Sequence, residues 1–285
     1  MFAMRIALIA VPYDSARRGE RMGAGPARLL DAGLEQRLTQ AGHHVTVQVV
    51  EAPSTSWRAE IRTAFDLAAA VADRVRAAVA DGARPLVLSG NCGPAAHGCL
   101  AGLASPAQVF WFDAHGDFNT PETTVGGFLD GMSLATAAGR CWRQLTAALP
   151  GFDPVPEESI TLIGARDLDP LEADALRQSA VRQVSVAGLR RELPEALRAN
   201  RRAAGSAYLH LDLDVLDPRE GRINSYAAPG GLNTADIAWA VGAISAAVRL
   251  EAASLTAYDP GSDTDGRGCE AALSVAVALA GGFRA

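Results

Sequence analysis

The sequence contains no lysine, and all 26 of its basic residues are arginine. Without lysine the chain cannot form a Schiff base through a side-chain amine. It also cannot complete a P-loop, because that motif needs its lysine to reach the phosphates. The four cysteines show no Cys-x-x-Cys spacing in a chain too long to need disulfides, so we expect reduced thiols. They are Cys92, Cys99, Cys141 and Cys269.

The chain also lacks an apolar run long enough to cross a membrane. Its apolar start is followed by Pro12 without a small-residue cleavage pattern, so we interpret residues 5–11 as a strand and not as a signal peptide. The net charge is −6 and the arginines are scattered, which gives no indication of binding to nucleic acid or to an anionic membrane. These absences predict a soluble cytoplasmic protein that acts on a small molecule.

Short apolar runs alternate with Ala- and Arg-rich segments of helical periodicity. The predicted strands lie near residues 5–10, 45–50, 85–88, 109–113, 160–164, 181–186, 207–212 and 254–258. Residues 59–80 and 234–248 are predicted helices, and the first helix is predicted to begin at Gly25-Pro26 and end at Gly42. This alternation predicts a mostly parallel sheet of about eight strands with helices on both faces. No linker interrupts it, so we predict a single domain over residues 1–285.

Acidic side chains follow several of these strands, at the sheet edge where open α/β folds bind ligands. Asp113, His115 and Asp117 come directly after an apolar strand, and Asp212 and Asp214 repeat the same spacing after another. Alternate residues of an extended chain point the same way, so each motif converges on one side. A solvated loop with helix caps is the alternative interpretation. Carboxylates gathered this densely repel one another without cations, which favours a site holding two metal ions.

These motifs resemble those of the ureohydrolase family, which includes arginases and agmatinases. The stretch DAHGDFNTPET at 113–123 is similar to the family's Asp-Ala-His-x-Asp signature, and DLDVLDP at 212–218 to its second Asp-x-Asp signature. The stretch SGNC at 89–92 lies where the family has Gly-Gly-Asp-His, so Cys92 replaces the first histidine ligand. The resemblance covers nearly the whole chain. It implies a three-layer α/β/α domain, a binuclear manganese centre, a homo-oligomer, and hydrolysis of a guanidino or amidino C–N bond.

The resemblance also implies individual roles. The implied metal ligands are Cys92, Asp113, His115, Asp117, Asp212 and Asp214. Asp113 and Asp212 resemble carboxylates that bridge the two ions, and His115 and Asp214 resemble ligands of one ion. Asp117 and the residue at position 92 would serve the other. Two Mn²⁺ ions would supply a bridging hydroxide to attack the trigonal carbon, with Asp117 orienting it and passing its proton to the leaving amine.

Cys92 has two interpretations, because a small buried thiol can serve packing alone. As a ligand it would be soft, and thiolate prefers Zn²⁺ or Cu⁺ to Mn²⁺. A cysteine at this position resembles the Nω-hydroxyarginine hydrolase of cycloserine biosynthesis. His97 lies five residues further on. It is a possible substitute ligand, although a local hydrogen bond within or beside the following helix is the favoured interpretation.

The implied substrate contacts are mixed. Asn119 matches a position that helps to hold the α-carboxylate in arginases, and Asp169 and Glu172 match positions near the α-amino group. Acidic residues in the first turn of a helix would explain Asp169 and Glu172 equally well. Asp130 stands where arginase has a proton-shuttling histidine, so the implied catalytic shuttle is acidic.

Other positions depart from the arginase pattern. Gly126 and Phe128 replace polar residues that complete the α-carboxylate contacts, and Ala257 falls where arginase places a glutamate that pairs with the guanidinium. The nearby candidates for that pairing are better explained as turn residues. They are Asp259, Asp263 and Asp265. His210 is interpreted as a packed strand residue.

We therefore predict a metal-dependent hydrolase that cleaves the C–N bond of a linear guanidino or amidino compound. Two alternatives remain open at this point. One is hydrolysis of Nω-hydroxy-L-arginine to hydroxyurea and ornithine, and the other is a non-catalytic relative that keeps the fold and binds a ligand.

Overall fold

The computed structural model describes residues 3–53, 59–103, 108–199 and 205–283, and its centre is a parallel sheet of eight strands. The described strands are β1 (Arg5–Val11), β2 (Tyr13–Asp14), β3 (Arg17–Arg18), β4 (His44–Val49), β5 (Arg84–Ser89), β6 (Gln108–Phe112), β7 (Ile160–Ile163), β8 (Arg182–Val184), β9 (Ser206–Asp212) and β10 (Arg249–Thr256). β2 and β3 form a separate antiparallel hairpin. The other eight correspond to the eight predicted strands, which confirms the parallel sheet.

Helices cover both faces of the sheet. They are α1 (Gly25–Asp31), α2 (Leu34–Gln40), α3 (Glu60–Ala80), α4 (Cys92–Leu103), α5 (Ser133–Ala137), α6 (Arg143–Ala147), α7 (Pro170–Gln178), α8 (Leu189–Ala199), α9 (Thr234–Ala247) and α10 (Arg267–Gly282). One buried cluster joins the sheet to α1, α2, α8, α9 and α10. A second joins its other face to α3, α4, α5 and α7. The three-layer α/β/α prediction is therefore confirmed.

The central strands are buried on both faces because their residues alternate between the two clusters. In β6, Val109 and Trp111 belong to the second cluster, whereas Phe110 and Phe112 belong to the first. All four side chains are fully buried. A strand between two helical layers needs such a continuous apolar run, as parallel sheets generally do. Among the described residues, no helix is long and apolar enough to cross a membrane.

Strand order decides which loops meet. The order is β4-β1-β5-β10-β9-β6-β7-β8, so β5, β10, β9 and β6 are consecutive neighbours although they are distant in the chain. All four run parallel and end at the same edge. The segments after these strands, with the one after β7, therefore converge on one side of the sheet.

Two predicted boundaries were wrong. The first helix is not continuous to Gly42, because Gly33 adopts a left-handed conformation (φ 91°) that ends α1 and precedes α2. The last strand begins five residues earlier than predicted, at Arg249. Its first half reads as polar and Ala-rich, but Glu251 is buried and paired with Arg84 of β5. That pairing allows a charged residue inside the sheet. The ends of the predicted domain, residues 1–2 and 284–285, lie outside the described part of the chain.

Candidate active site

Five donor residues form a cluster at the carboxyl edge of the sheet, which we call the floor. It consists of Cys92, Asp113, His115, Asp212 and Asp214. Cys92 is the first residue of α4, directly after β5, and Asp113 follows β6. Asp212 ends β9. Parallel pairing of β6 with β9 brings the two acidic motifs side by side.

The floor contains two groups that could each hold a metal ion. One is Cys92, Asp113 and Asp212, and the other is Asp113, His115 and Asp214. In each group, one ligand atom per residue lies within 4.8 Å of the others. Asp113 belongs to both groups, as a bridging carboxylate must. His115 and Asp214 share a group, as predicted, whereas Asp212 belongs to one group only.

Backbone and side-chain donors hold the floor carboxylates in place. The N–H of His115 donates to Asp113 Oδ1 at 2.8 Å, and the N–H of Asp214 donates to Asp212 Oδ1 at 2.8 Å. The indole of Trp111 donates to Asp113 Oδ2 at 3.1 Å. These bonds orient the carboxylates by contacts local to each strand end, so the floor is preorganised.

The floor is electrostatically unfavourable on its own. Burial and the charges of Asp214 and Asp113 raise the pKa of Asp212 well above its usual value, and burial with the charge of Asp113 raises that of Asp214. Burial lowers the pKa of His115, but its hydrogen bond to Asp113 and the charge of Asp214 outweigh burial and raise the pKa to about 9. Buried carboxylates that repel one another in this way are suited to divalent cations.

Asp117 lines a cavity together with four of the floor residues, but it belongs to neither donor group. Its Oδ2 is buried without a hydrogen-bond partner among the described atoms, and its backbone is left-handed with φ 48°. Such strain in a non-glycine residue costs about 1–2 kcal/mol and is common at functional sites. Burial and the charges of Asp113 and Asp130 raise the pKa of Asp117 well above its usual value. An unsatisfied buried carboxylate oxygen beside the floor fits a metal or a substrate proton.

Cys92 contributes a buried thiol to the floor. Its Sγ donates to Asp212 Oδ2 at 3.1 Å and lies 3.3 Å from Thr256 Oγ1. Burial and the charges of Asp130 and Asp212 raise the pKa of the thiol well above its usual value. In the absence of a cation Cys92 is therefore protonated, whereas a nearby cation would favour the thiolate.

The structure describes four free, buried cysteines, as predicted. His210 is also buried and stacks on Trp111 with ring centroids 3.8 Å apart, which confirms that it packs within its strand. His97 lies in α4, where its Nε2 is 3.0 Å from the carbonyl oxygen of Ser133. It joins neither donor group and lies within the predicted helix, but its hydrogen bond is to a residue 36 positions away and is not the local one predicted.

Asp130, predicted to shuttle protons, lies at the N-terminus of α4, where both of its oxygens accept hydrogen bonds. Its Oδ2 accepts from the N–H of Cys92 at 2.9 Å and from the side chain of Asn91 at 3.0 Å. Its Oδ1 accepts from the N–H of Gly93 at 2.9 Å and from the hydroxyl of Ser133 at 3.1 Å. Burial raises the pKa of Asp130 to about 6, although these four hydrogen bonds oppose the shift. Asp130 lines the cavity, but its oxygens are engaged in positioning Cys92.

The structure brings the three predicted substrate residues together. Asn119 Nδ2 donates to Asp169 Oδ2 at 3.1 Å. Asp169 and Glu172 form a capping box at the start of α7, and Glu172 Oε1 also accepts from the N–H of Phe118 at 2.8 Å. All three line the cavity. The helix-start interpretation of Asp169 and Glu172 is therefore confirmed, and it places both residues beside Asn119.

The residues after β10 do not replace the missing guanidinium partner. Ala257 lines the cavity with a left-handed backbone, φ 66°. Asp259 accepts from Gly261 and Ser262, Asp263 from Tyr258, Gly268 and Cys269, and Asp265 from Arg267. All three acidic residues accept hydrogen bonds from residues close to them in the chain, as expected of turn residues. They do not line the described cavity.

Sequence reasoning missed two residues of the loop after β9. Asn224 is buried and donates to Asp214 Oδ2 at 3.3 Å and to the carbonyl of Ala257 at 2.9 Å. Tyr226 lines the cavity and stacks on Phe128. The one available signal was a polar-aromatic stretch, Asn224 to Tyr226, before the glycine pair at 230–231. In that pair a side chain on Gly231 would lie 2.5 Å from the backbone of Asp217, which explains the glycine.

Above the floor lies a cavity of about 250 Å³. Acidic side chains dominate its lining: Asp117, Asp130, Asp167, Asp169, Glu172, Asp212 and Asp214. His115 is the sole basic side chain among the described lining residues. Such a cavity attracts a small cation and provides carboxylates for metal binding and proton transfer.

Known proteins resemble the chain over nearly its whole length. The model of the Arginase family matches residues 4–281. An arginase of Bacillus caldovelox is 30% identical over 294 residues, covering 97% of this chain and 96% of its own. An N(omega)-hydroxy-L-arginine amidinohydrolase of Streptomyces lavendulae is 31% identical over 235 residues, covering 81% of each chain. The crystal structure of an arginase from Bacillus cereus has a TM-score of 0.84 at 27% identity, covering 97% of this chain and 98% of that one.

Proposed function

Because this chain belongs to the arginase family, we propose that it hydrolyses a guanidinium compound with the floor as its metal centre. Membership makes the chain a metal-dependent hydrolase of C–N bonds in linear amidines. The observation that supports the proposal most strongly is the pair of donor groups that share Asp113 beneath an acidic cavity.

The floor residues fit two divalent cations. Asp113, His115 and Asp214 offer hard oxygen and imidazole donors, which suit Mn²⁺. Cys92, Asp113 and Asp212 include a thiol, whose thiolate prefers softer ions. We therefore expect manganese to be held more weakly by the second group. When bound, two such ions would supply Lewis acidity and lower the pKa of a water molecule toward neutrality.

The protein itself would position the substrate and move its proton. The acidic lining favours a cationic guanidinium over a neutral or anionic ligand. Asp117, whose Oδ2 has no partner among the described atoms, would accept the proton of the attacking water and deliver it to the leaving amine. We assign Asp130 a positioning role, because its carboxylate orients the start of α4.

Elemental analysis of protein purified without chelator tests the metal centre, and we expect close to two ions per chain. A metal content near zero that persists after reconstitution with Mn²⁺ would refute the proposal. A release assay then identifies the substrate among arginine, hydroxyarginine, agmatine, guanidinobutyrate and formiminoglutamate. Urea, ammonia and formamide are all followed, so that an amidino substrate is also detected.

A second candidate is hydrolysis of Nω-hydroxy-L-arginine to hydroxyurea and ornithine. It is supported by the thiol of Cys92 in the floor and by the amidinohydrolase relative at 31% identity. This candidate predicts that kcat/KM for the hydroxylated substrate exceeds that for arginine by orders of magnitude. Equal values for the two compounds would contradict it. Cytoplasmic location and a homo-oligomeric state remain predictions.

A further inference from the structure

The mouth of the cavity carries an apolar surface that the reaction on the guanidinium does not use. We call it the apolar rim, and it consists of Phe128 and Tyr226, which both line the cavity. The rings of Phe128 and Tyr226 stack with centroids 5.5 Å apart and planes 21° apart. Tyr226 is 38% exposed. Exposed aromatic surface at the entrance of a cavity is typical of a ligand contact.

The aromatic ring of Tyr226 is held in its exposed position from two sides. Its N–H donates to Asn224 Oδ1 at 2.9 Å, and Asn224 is itself buried. Its hydroxyl accepts from Arg21 Nη2 at 2.9 Å. Because the ring is already fixed, it loses little conformational entropy when a ligand binds, and such preorganisation strengthens binding.

The same mouth offers little to a carboxylate. Five of the seven acidic side chains that line the cavity lie outside the floor, and no arginine lies among the described lining residues. The side-chain amide of Asn119 donates to Asp169. Arg21, close to the rim, is paired with the buried Asp14 at 3.2 Å and with Tyr226. A carboxylate here would meet negative charge with few free donors.

The two carboxylates beside Asn119 that could receive an ammonium group are already engaged. Asp169 and Glu172 already accept hydrogen bonds at the start of α7 and from Asn119 and Phe118. An uncharged alkyl or aryl group needs no hydrogen bond from these carboxylates, and it buries apolar surface against the rim. The acidic lining thus favours a cationic head, and the engaged atoms of Asn119, Asp169 and Glu172 beside the aromatic rim favour an uncharged tail.

We propose that the substrate carries its guanidinium on an alkyl or aryl group that packs against Phe128 and Tyr226, and not on an amino-acid end. The inference rests on the proposed hydrolysis of a guanidinium compound and specifies the class of that compound. Three ligands with the same four-carbon chain separate the possibilities. Butylguanidine ends in a methyl group, agmatine in an amine, and arginine in an ammonium and a carboxylate.

Calorimetric titration of the manganese-loaded full chain measures binding directly, and urea release measures kcat/KM. We expect alkylguanidines from methyl to hexyl to bind with affinity rising up to about fourfold per methylene buried. Butylguanidine should bind at least about tenfold more tightly than arginine and agmatine, with a negative heat-capacity change. Tighter binding of arginine or agmatine, or no dependence on chain length, would overturn the inference.

Variants assign the effect to the rim. Phe128→Ala and Tyr226→Ala should reduce the ratio of butylguanidine to methylguanidine affinity toward one, whereas Tyr226→Phe keeps the ring and should keep most of the ratio. Val47→Ala, on the edge strand β4, truncates an exposed apolar side chain that does not line the cavity and serves as the control. Should a rim variant fail to fold, the ligand series on the unaltered chain still decides.

The two proposals fail in different ways. If no guanidine releases urea from the metal-loaded chain, hydrolysis of a guanidinium compound is refuted, and the calorimetric series still tests the rim. If arginine is hydrolysed efficiently and chain length has no effect, the rim inference alone is refuted.

Discussion

The floor and the apolar rim line one cavity and are built differently. Floor residues lie at or just after strand ends and are mostly buried, and backbone N–H groups two residues away orient Asp113 and Asp212. Rim residues lie on loops and are held by distant partners, such as Arg21 on Tyr226. The difference indicates that the reaction chemistry depends on strand geometry, while substrate choice depends on loops that can change without disturbing it.

Removing the shared carboxylate is the strongest test of the floor. Asp113→Ala should lower kcat/KM by at least about 10³-fold, because metal ions supply several kcal/mol of transition-state stabilisation and both groups lose a ligand. Metal content should fall with it. The matched control is Asp73→Ala, an exposed carboxylate on α3. Two ions retained with activity intact would mean that the floor is not the metal centre.

Cys92→His should tighten manganese binding, because imidazole suits Mn²⁺ better than thiolate. We expect a gain of about 10- to 100-fold, the range by which contacts around metal sites typically alter affinity. Chelator titration followed by elemental analysis measures it. Cys99→Ser alters another buried thiol of α4 and should leave metal affinity unchanged. If Cys92→His binds manganese with the same affinity as the unaltered chain, Cys92 contributes to packing and not to metal binding.

His97 makes the helix that bears Cys92 sensitive to acid. Burial lowers the pKa of His97 to about 4, whereas its unfolded value is about 6.5. Between these values the unfolded chain binds more protons, so His97 makes the free energy of unfolding fall as the pH decreases, by about 2 kcal/mol between pH 7 and 5. In His97→Gln the free energy of unfolding, measured with denaturant at several pH values, should depend less steeply on pH than in the unaltered chain. His44→Gln alters an exposed histidine and should keep the original slope.

Asp130→Ala distinguishes a positioning residue from a proton shuttle. Loss of the cap on α4 should lower the free energy of unfolding by about 1–2 kcal/mol and weaken metal binding through Cys92. Ser133→Ala removes one donor of four and should cost less. Thermal unfolding and pH–rate profiles measure both effects. Unchanged stability with a changed pH–rate profile would favour the shuttle instead.

Much of the fold was predictable because its signals are local. Apolar runs marked all eight strands of the sheet, including β6, whose residues are buried on both faces. The two errors had long-range or conformational causes. Buried Glu251 of β10 is paired with Arg84 of β5 and with its neighbour Arg249, and Gly33 broke a helix that its neighbours would have continued.

The sequence by itself determined the parallel sheet and the two acidic motifs, because side-chain periodicity and two-residue spacing are properties of neighbouring residues. Its resemblance to the family also indicated that Gly126, Phe128 and Ala257 depart from arginine recognition and that Cys92 replaces a histidine ligand. The tertiary structure alone decided that Asn224 donates to Asp214, that Asp130 binds the start of α4, and that Tyr226 stacks on Phe128. These relations join residues that are not neighbours in the chain, and strand order and loop packing bring them together.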